Sequence, residues 1–246
     1  VILASGMGRR LNKKMPKCLV SINKKTLLER ILDISKDFDK IIIVGGYKVN
    51  LIKKIVNNQN TKKIFLVNNT DYKVTNMVES FFKGYSKINQ DVIITYSDII
   101  FDPSLFGKMI NFNNNHLLLK SNWKKIWKLR MSDNEIKSDA EDIETKNNNI
   151  LSIGSKIKKK LPKYQFMGLI RLNYKSLKKL KIFYKKIKNK KIDFTSFINL
   201  LIKNKILNFK FIETKKYWFE IDNNKDLFVA KKFFKTKKNI NLKNSN

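Results

Sequence analysis

A single cysteine, a single histidine, three prolines and eight glycines in 246 residues remove several chemistries before any motif is read. One sulfur, Cys18, can build neither a disulfide framework nor a thiolate metal cluster, and the expected compartment is a reducing cytoplasm. The lone histidine, His116, precedes an apolar HLLLK run and reads as structural. No Ser-His-Asp or Cys-His pairing can then be proposed, which counts against a covalent hydrolase mechanism. Prolines this few leave no proline-rich linker, and no internal repeat is visible. No apolar run is long enough to cross a bilayer. Val1 opens directly into an apolar stretch with neither a signal segment nor an initiator methionine, so a few residues of the true N-terminus are expected to be absent.

Acidic residues are scarce as well. Twenty of them face 53 lysines and arginines, a formal charge of +33, which by itself suggests nucleic acid or an anionic membrane as partner. Lysine is nevertheless spread through nearly every segment beside abundant asparagine and isoleucine, the mixture that AT-rich codons favour. No aromatic-basic, RNP-like strand accompanies it. A non-enzymatic RNA-binding protein is therefore the weaker alternative, and neither a specific nucleic acid nor membrane insertion is expected. Such a field should raise the local concentration of a polyanion such as a nucleoside triphosphate. The length fits one domain of the larger α/β type, with a sizeable core.

What the chain does have is concentrated at its start, in VILASGMGRRLNKKMPKCLVSI. An apolar strand breaks at Ala4, Ser5, Gly6, Met7 and Gly8 into a turn whose backbone N–H groups can approach an anion, because glycine removes the obstructing side chain. Arg10 and Lys17 bring positive charge to the same place. A dinucleotide fingerprint would need a third glycine near Leu11, and a P-loop would need Gly-Lys-Ser/Thr; neither is present. Strand, glycine turn, arginine and Pro-Lys in this order resemble the nucleotidyltransferases that couple a nucleoside triphosphate to a phosphorylated small molecule. Their pattern, LAxGxGxRL and then PKxL, is met by Leu3, Ala4, Gly6, Gly8, Arg10, Leu11, Pro16, Lys17 and Leu19. Ser5 stands where alanine or glycine is commoner.

Apolar runs at 1–4, 41–44, 64–67 and 92–96 alternate with helical patterns at 26–38, 49–56 and 75–87. The order predicts a single-domain, Rossmann-like α/β fold, a mostly parallel central sheet flanked by helices, with ligands at the carboxyl ends of the strands. Beyond Lys120 a polar, tryptophan-bearing stretch at 121–149 leads to strands at 150–153 and 165–172, helices near 175–187 and 194–203, strands at 209–212 and 218–222, and a last helix. The expected domain covers 1–234, with a nucleotide-binding half at 1–120 and an acceptor-binding half at 121–234. A frayed basic tail is expected at 235–246.

Two segments offer carboxylates at strand ends. DVIITYSDIIFD places Asp98 after a buried strand, and YWFEIDNNKDLFVA ends another at Asp222. Mg²⁺ takes carboxylate oxygens together with substrate phosphates and water, so one or two aspartates suffice. Glu220 shares a strand face with Asp222 and can assist. Asp102, before Pro103, reads as a turn residue, and Asp226 as a carboxylate at a helix N-terminus.

The segments NNTDYKVTNMVESF, SNWKKIWKLRMSDNEIKSDAEDIE, ILSIGSKI and YQFMGLIRL are similar to bacterial phosphocholine and 2-aminoethylphosphonate cytidylyltransferases. The resemblance spans most of the chain and is weaker at 175–216. It implies Mg²⁺ held by Asp98 and Asp222. Arg10 and Lys17 would act on the phosphates, with nucleotide contacts from Leu3, Ala4, Ser5, Gly6, Gly8, Thr75, Asn76 and Ser80. The implied reaction is transfer of CMP from CTP to a small phosphorylated or phosphonate amine, with release of pyrophosphate. Thr75 has a competing reading as a helix cap.

The acidic run Asp139, Glu141, Asp142 and Glu144 follows Trp123 and Trp127. Carboxylates beside aromatic faces suit an ammonium headgroup, whereas a solvated acidic face beside one packed side of a helix is the plainer reading. Trp123, Asp139 and Glu141 are the expected acceptor contacts. The near alternative keeps the fold and takes a sugar 1-phosphate with UTP or another triphosphate.

Overall fold

The computed structural model describes residues 1–11, 14–157 and 160–243. Its first part alternates strand and helix: β1 (Ile2–Ala4), a short hairpin of β2 (Ser21–Ile22) and β3 (Lys25–Thr26), α1 (Leu27–Ile34), β4 (Ile41–Gly45), α2 (Val49–Asn57), β5 (Ile64–Asn68), α3 (Met77–Gly84) and β6 (Val92–Tyr96). β1, β4 and most of β6 are buried at every position, which is why they read as continuous apolar runs rather than alternating ones. α1 starts where Thr26 accepts the Glu29 N–H and the Glu29 carboxylate returns to the Thr26 N–H. A cap of this kind stabilises a helix by about 1 kcal/mol.

The second part runs β7 (Ile99–Phe101), α4 (Ser104–Ile110), β8 (His116–Lys120), α5 (Trp123–Trp127), α6 (Asp133–Asp139), β9 (Glu141–Lys146), β10 (Asn149–Lys156), β11 (Gln165–Leu172), α7 (Tyr174–Lys185), α8 (Phe194–Lys203), β12 (Lys210–Thr214), β13 (Trp218–Glu220) and α9 (Asn224–Lys243). Nine strands form one sheet in the order β5-β4-β1-β6-β11-β8-β12-β10-β9. Following the pairings outward, seven point the same way, and only β11 and β10 run against them. The sheet is thus mostly parallel, as the alternating pattern predicts.

Two features position the site. The carboxyl ends of β1, β4, β5 and β6 lie side by side, through the pairs Ala4 with Gly45, Gly45 with Asn68, and Leu3 with Tyr96. Outside this sheet β7 pairs antiparallel with β13, setting Ile99 opposite Glu220. The Ile221 N–H donates to the Asp98 carbonyl at 2.9 Å. Residues 98 and 222, far apart in sequence, therefore flank one two-stranded ladder.

The polar stretch 121–149 is more ordered than its composition suggests, holding α5, α6 and the edge strand β9. β9 pairs along its length with β10 and buries only Ile143, so its EDIETK sequence looks like surface. α9 continues through most of the stretch read from sequence as a frayed tail. Phe233 and Phe234 anchor it against Tyr217 and Phe219, and residues 244–246 lie outside the described residues. Among the described residues no helix is long and apolar enough to cross a membrane.

Candidate active site

The chain leaves β1 at Ala4 and turns through Ser5, Gly6, Met7 and Gly8. Gly8 has φ +61°, and a Cβ there would meet the Lys17 Cβ at 3.2 Å, so a side chain would be both strained and crowded. That close approach brings Lys17, which follows Pro16 on a single 3₁₀ turn, over the glycine loop. The Lys17 Nζ donates to Asp98 Oδ2 at 2.6 Å and also to Asp222 Oδ1. Arg10 reaches Asp222 Oδ2 at 3.0 Å from a side chain that is 68% exposed. An exposed arm of this kind is free to follow a ligand.

Carboxylate oxygens of Asp98, Glu220 and Asp222 all lie within 4.8 Å of one another. Burial, with Asp222 and Asp98 adding to it, holds the Glu220 carboxyl above its ordinary range. Burial alone would lower Lys17, but the Asp98, Asp222 and Glu220 carboxylates outweigh it and keep the ammonium charged. Asp98 Oδ1 is buried without a hydrogen-bond partner among the described residues. An orphaned carboxylate oxygen beside two further carboxylates is a donor set that fits a hard divalent cation.

Two cavities meet at this cluster. The first, of about 490 Å³, is lined by Leu3, Ser5, Gly6, Gly8, Arg10, Lys17, Thr75, Asn76, Ser80, Asp98 and Asp222 among others. Every nucleotide-contact, catalytic and metal residue expected from sequence thus lies on it except Ala4, whose side chain is buried in the core. Thr75 does not cap α3; Asn76 does, accepting the Met77 N–H.

The second cavity, about 240 Å³, is lined by Asp139, Glu141, Asp193, Glu220 and Asp222, by Arg10 as the one cation among the described residues, and by Tyr96, Trp127, Phe166 and Trp218. Glu141 is raised above its ordinary range by burial, partly offset by a hydrogen bond from Thr195, with Asp193 and Asp139 nearby. Trp123 does not line this cavity: it is fully buried, and its indole N–H donates to the Pro162 carbonyl at 3.3 Å. Trp127, one turn later on α5, faces the cavity instead. Asp142 and Glu144 lie on β9 outside it.

Sequence reasoning missed Asp193, Thr195, Gln165 and Trp218. Asp193 caps α8 by accepting the Ser196 N–H. A lone acid three residues before a serine, in a lysine-rich stretch, was the available signal.

A glycine turn at the end of a central parallel strand faces clustered carboxylates across the carboxyl edge of the sheet, and the fold is that of solved nucleotidyltransferases. Residues 1–117, just under half of the chain, match the family model of the MobA-like NTP transferase domain. The inositol-1-phosphate CTP transferase from T. maritima superposes with a TM-score of 0.73 at 18% identity, covering 94% of each chain. The CTP:phosphocholine cytidylyltransferase LicC from Streptococcus pneumoniae gives 0.73 at 17% identity, covering 95% of this chain and 97% of that one. By sequence, the bifunctional protein GlmU of Thermosipho melanesiensis is 31% identical over 104 residues, 41% of this chain but only 22% of that relative's length.

Proposed function

We propose that the protein is a Mg²⁺-dependent cytidylyltransferase that transfers CMP from CTP to a small phosphorylated or phosphonate amine, such as phosphocholine or 2-aminoethylphosphonate. The observation that carries the reading is the lining of the second cavity: among the described residues five acidic side chains and four aromatic rings stand with one arginine, and Asp139, Glu141 and Asp193 have no ion-pair partner, in a chain of net charge +33. A concave pocket of acidic and aromatic side chains favours a cationic headgroup. The names of two structural neighbours support the donor, and one of them supports the acceptor class.

The two cavities share Arg10, Met77, Tyr96 and Asp222, which supports reading their junction as the meeting point of donor and acceptor. An acceptor phosphate or phosphonate oxygen attacks the α-phosphorus of CTP in line. The new P–O bond forms as the bond to the β-phosphate oxygen breaks, and pyrophosphate carries off the electron pair. Lys17 and Arg10 offset charge on the transferring and leaving groups, so rate enhancement comes from positioning and fixed charge rather than a covalent intermediate. Asp98 and Asp222, with Glu220 beside them, would hold the Mg²⁺, which supplies further neutralisation of phosphate charge.

Pyrophosphate release, measured across the four triphosphates against phosphocholine, 2-aminoethylphosphonate and sugar 1-phosphates, tests donor and acceptor together. The fastest turnover is expected with CTP and a cationic acceptor. A preference for a sugar 1-phosphate with UTP would replace this reading by its near alternative.

A further inference from the structure

The larger cavity carries two bonded groups: the ion-paired Lys17, Arg10, Asp98 and Asp222, and the uncharged hydroxyls of Ser5, Thr75 and Ser80 joined through Asn69, with Tyr72, Lys73 and Asn76 also on the lining. Phosphates belong with the ion-paired group, which leaves the hydroxyl group for the base. The hydrogen bonds there run in one fixed direction. The Asp71 N–H, which can only donate, gives its proton to Asn69 Oδ1 at 3.1 Å. The Asn69 Nδ2 must then face the other way, and it donates to Thr75 Oγ1 at 3.1 Å and to Ser80 Oγ at 3.0 Å. At the far end the Val44 carbonyl, which can only accept, takes the Ser5 hydroxyl proton at 3.1 Å.

Between these two anchors the Ser80 hydroxyl has two acceptors, Ser5 Oγ at 3.2 Å and the Asn76 carbonyl at 3.4 Å. Whichever it uses, its proton is spent inside the protein. Thr75 likewise donates to the Asp71 carbonyl at 2.8 Å. Each of these hydroxyls is left with only a lone pair to offer a ligand. The framework is rigid: Asn69 is fully buried, and a Cβ on Gly46 would meet the Tyr72 Cβ at 2.7 Å and the Ser5 Cβ at 3.0 Å.

We infer that Ser5 and Ser80, polarised by Asn69 and the Val44 carbonyl, select the base by accepting hydrogen bonds from an exocyclic amino group, and so favour cytosine over uracil or thymine. This rests on the reading of the larger cavity as the nucleotide site. Cytosine presents an amino group where uracil and thymine present a carbonyl oxygen. An oxygen facing two serine lone pairs would stay unpaired, the arrangement that a polar recognition site rejects most strongly.

The test is equilibrium binding, independent of turnover. Wild type, Ser5→Ala and Ser80→Ala are titrated at fixed Mg²⁺ with CTP, with UTP, and with the triphosphate of 2-pyrimidinone riboside, which lacks the amino group. Wild type is expected to bind CTP at least about tenfold more tightly than the other two, and each alanine should weaken CTP by about three- to tenfold while moving the other two little. Equal weakening of all three nucleotides, or an unchanged CTP preference in both variants, overturns the assignment while leaving a cytidylyltransferase standing. Wild type that binds UTP as tightly as CTP removes the assignment and the proposed donor together. Failure to bind any of the three removes the nucleotide site itself.

Discussion

Lys17 stands among three carboxylates and above the glycine loop, so its charge serves both the resting cluster and the phosphates that would enter. Lys17→Met keeps the length of the side chain and removes the charge. Turnover is expected to fall by a factor corresponding to about 2.7–4 kcal/mol of barrier, the usual cost of losing one such donor. Pyrophosphate release from a variant with an unchanged circular dichroism spectrum checks it, and near-normal turnover would remove Lys17 from the catalytic set. If the second cavity holds the acceptor, Asp139→Asn and Glu141→Gln should raise the acceptor KM and leave the CTP KM nearly unchanged, because the lost contact touches one substrate only. An uncharged acceptor analogue should respond much less; wild-type acceptor kinetics in both variants would make the cluster a surface network. The convergence of Arg10, Lys17, Asp98 and Asp222 was legible in sequence because each sits in a short motif whose spacing is tied to a loop or strand end. The tryptophan was not: Trp123 and Trp127 share one short helix and pack edge to face, and only tertiary packing decides which ring meets the cavity. Asp193 was hidden for a related reason, since a cap residue announces a helix and not the cleft it borders.

At the level of elements, α9 does more than end the fold. Its first-turn residue Asp226 is 2% exposed, accepts the N–H groups of Asp222 at 2.8 Å and Asn223 at 2.9 Å, and is paired with Arg130 at 2.6 Å. It holds the backbone of Asp222 in place. Asp226→Ala should cost about 3–5 kcal/mol, because Arg130 is left buried without its partner. Adding Arg130→Met should recover part of that loss in a urea titration, and additive costs would show that the pair does not act as a unit. β8 ends in Lys120, which is fully buried and donates to the carbonyls of Lys216 at 2.5 Å and Lys215 at 3.4 Å. Burial lowers its pKa to about 8, so between there and about 10.4 the unfolded chain carries a proton that the folded one lacks. Stability from this group is therefore lowest below pH 8 and rises as the pH climbs through that window. Lys120→Met should flatten that part of the wild-type curve, and parallel urea midpoints from pH 7 to 10 would contradict it. The first half of the sheet was readable because strands buried on both faces leave uninterrupted apolar runs. β13 was legible as the strand at 218–222, but β7, three residues long, was not, and their pairing joins distant segments with no local period to betray it.

For the whole molecule, a net charge of +33 accompanies an acidic pocket that adjoins the glycine-loop cavity. If the surplus lysines steer the nucleotide inward, kcat/KM for CTP should fall several-fold between about 0.05 and 0.5 M NaCl while kcat holds, because screening acts on encounter and not on the bound state. A kcat/KM insensitive to salt would leave the lysine excess without a part in catalysis. Composition showed the charge but not its placement, since five of the few acids converge only through folding. The contact between Lys17 and Asp222 joins positions 205 residues apart. During translation the glycine loop, Lys17 and Asp98 leave the ribosome long before Glu220 and Asp222 are even synthesised. A nascent chain accordingly displays the glycine loop with two of the three clustered carboxylates missing, and the cluster is completed only by the arrival of the final strand.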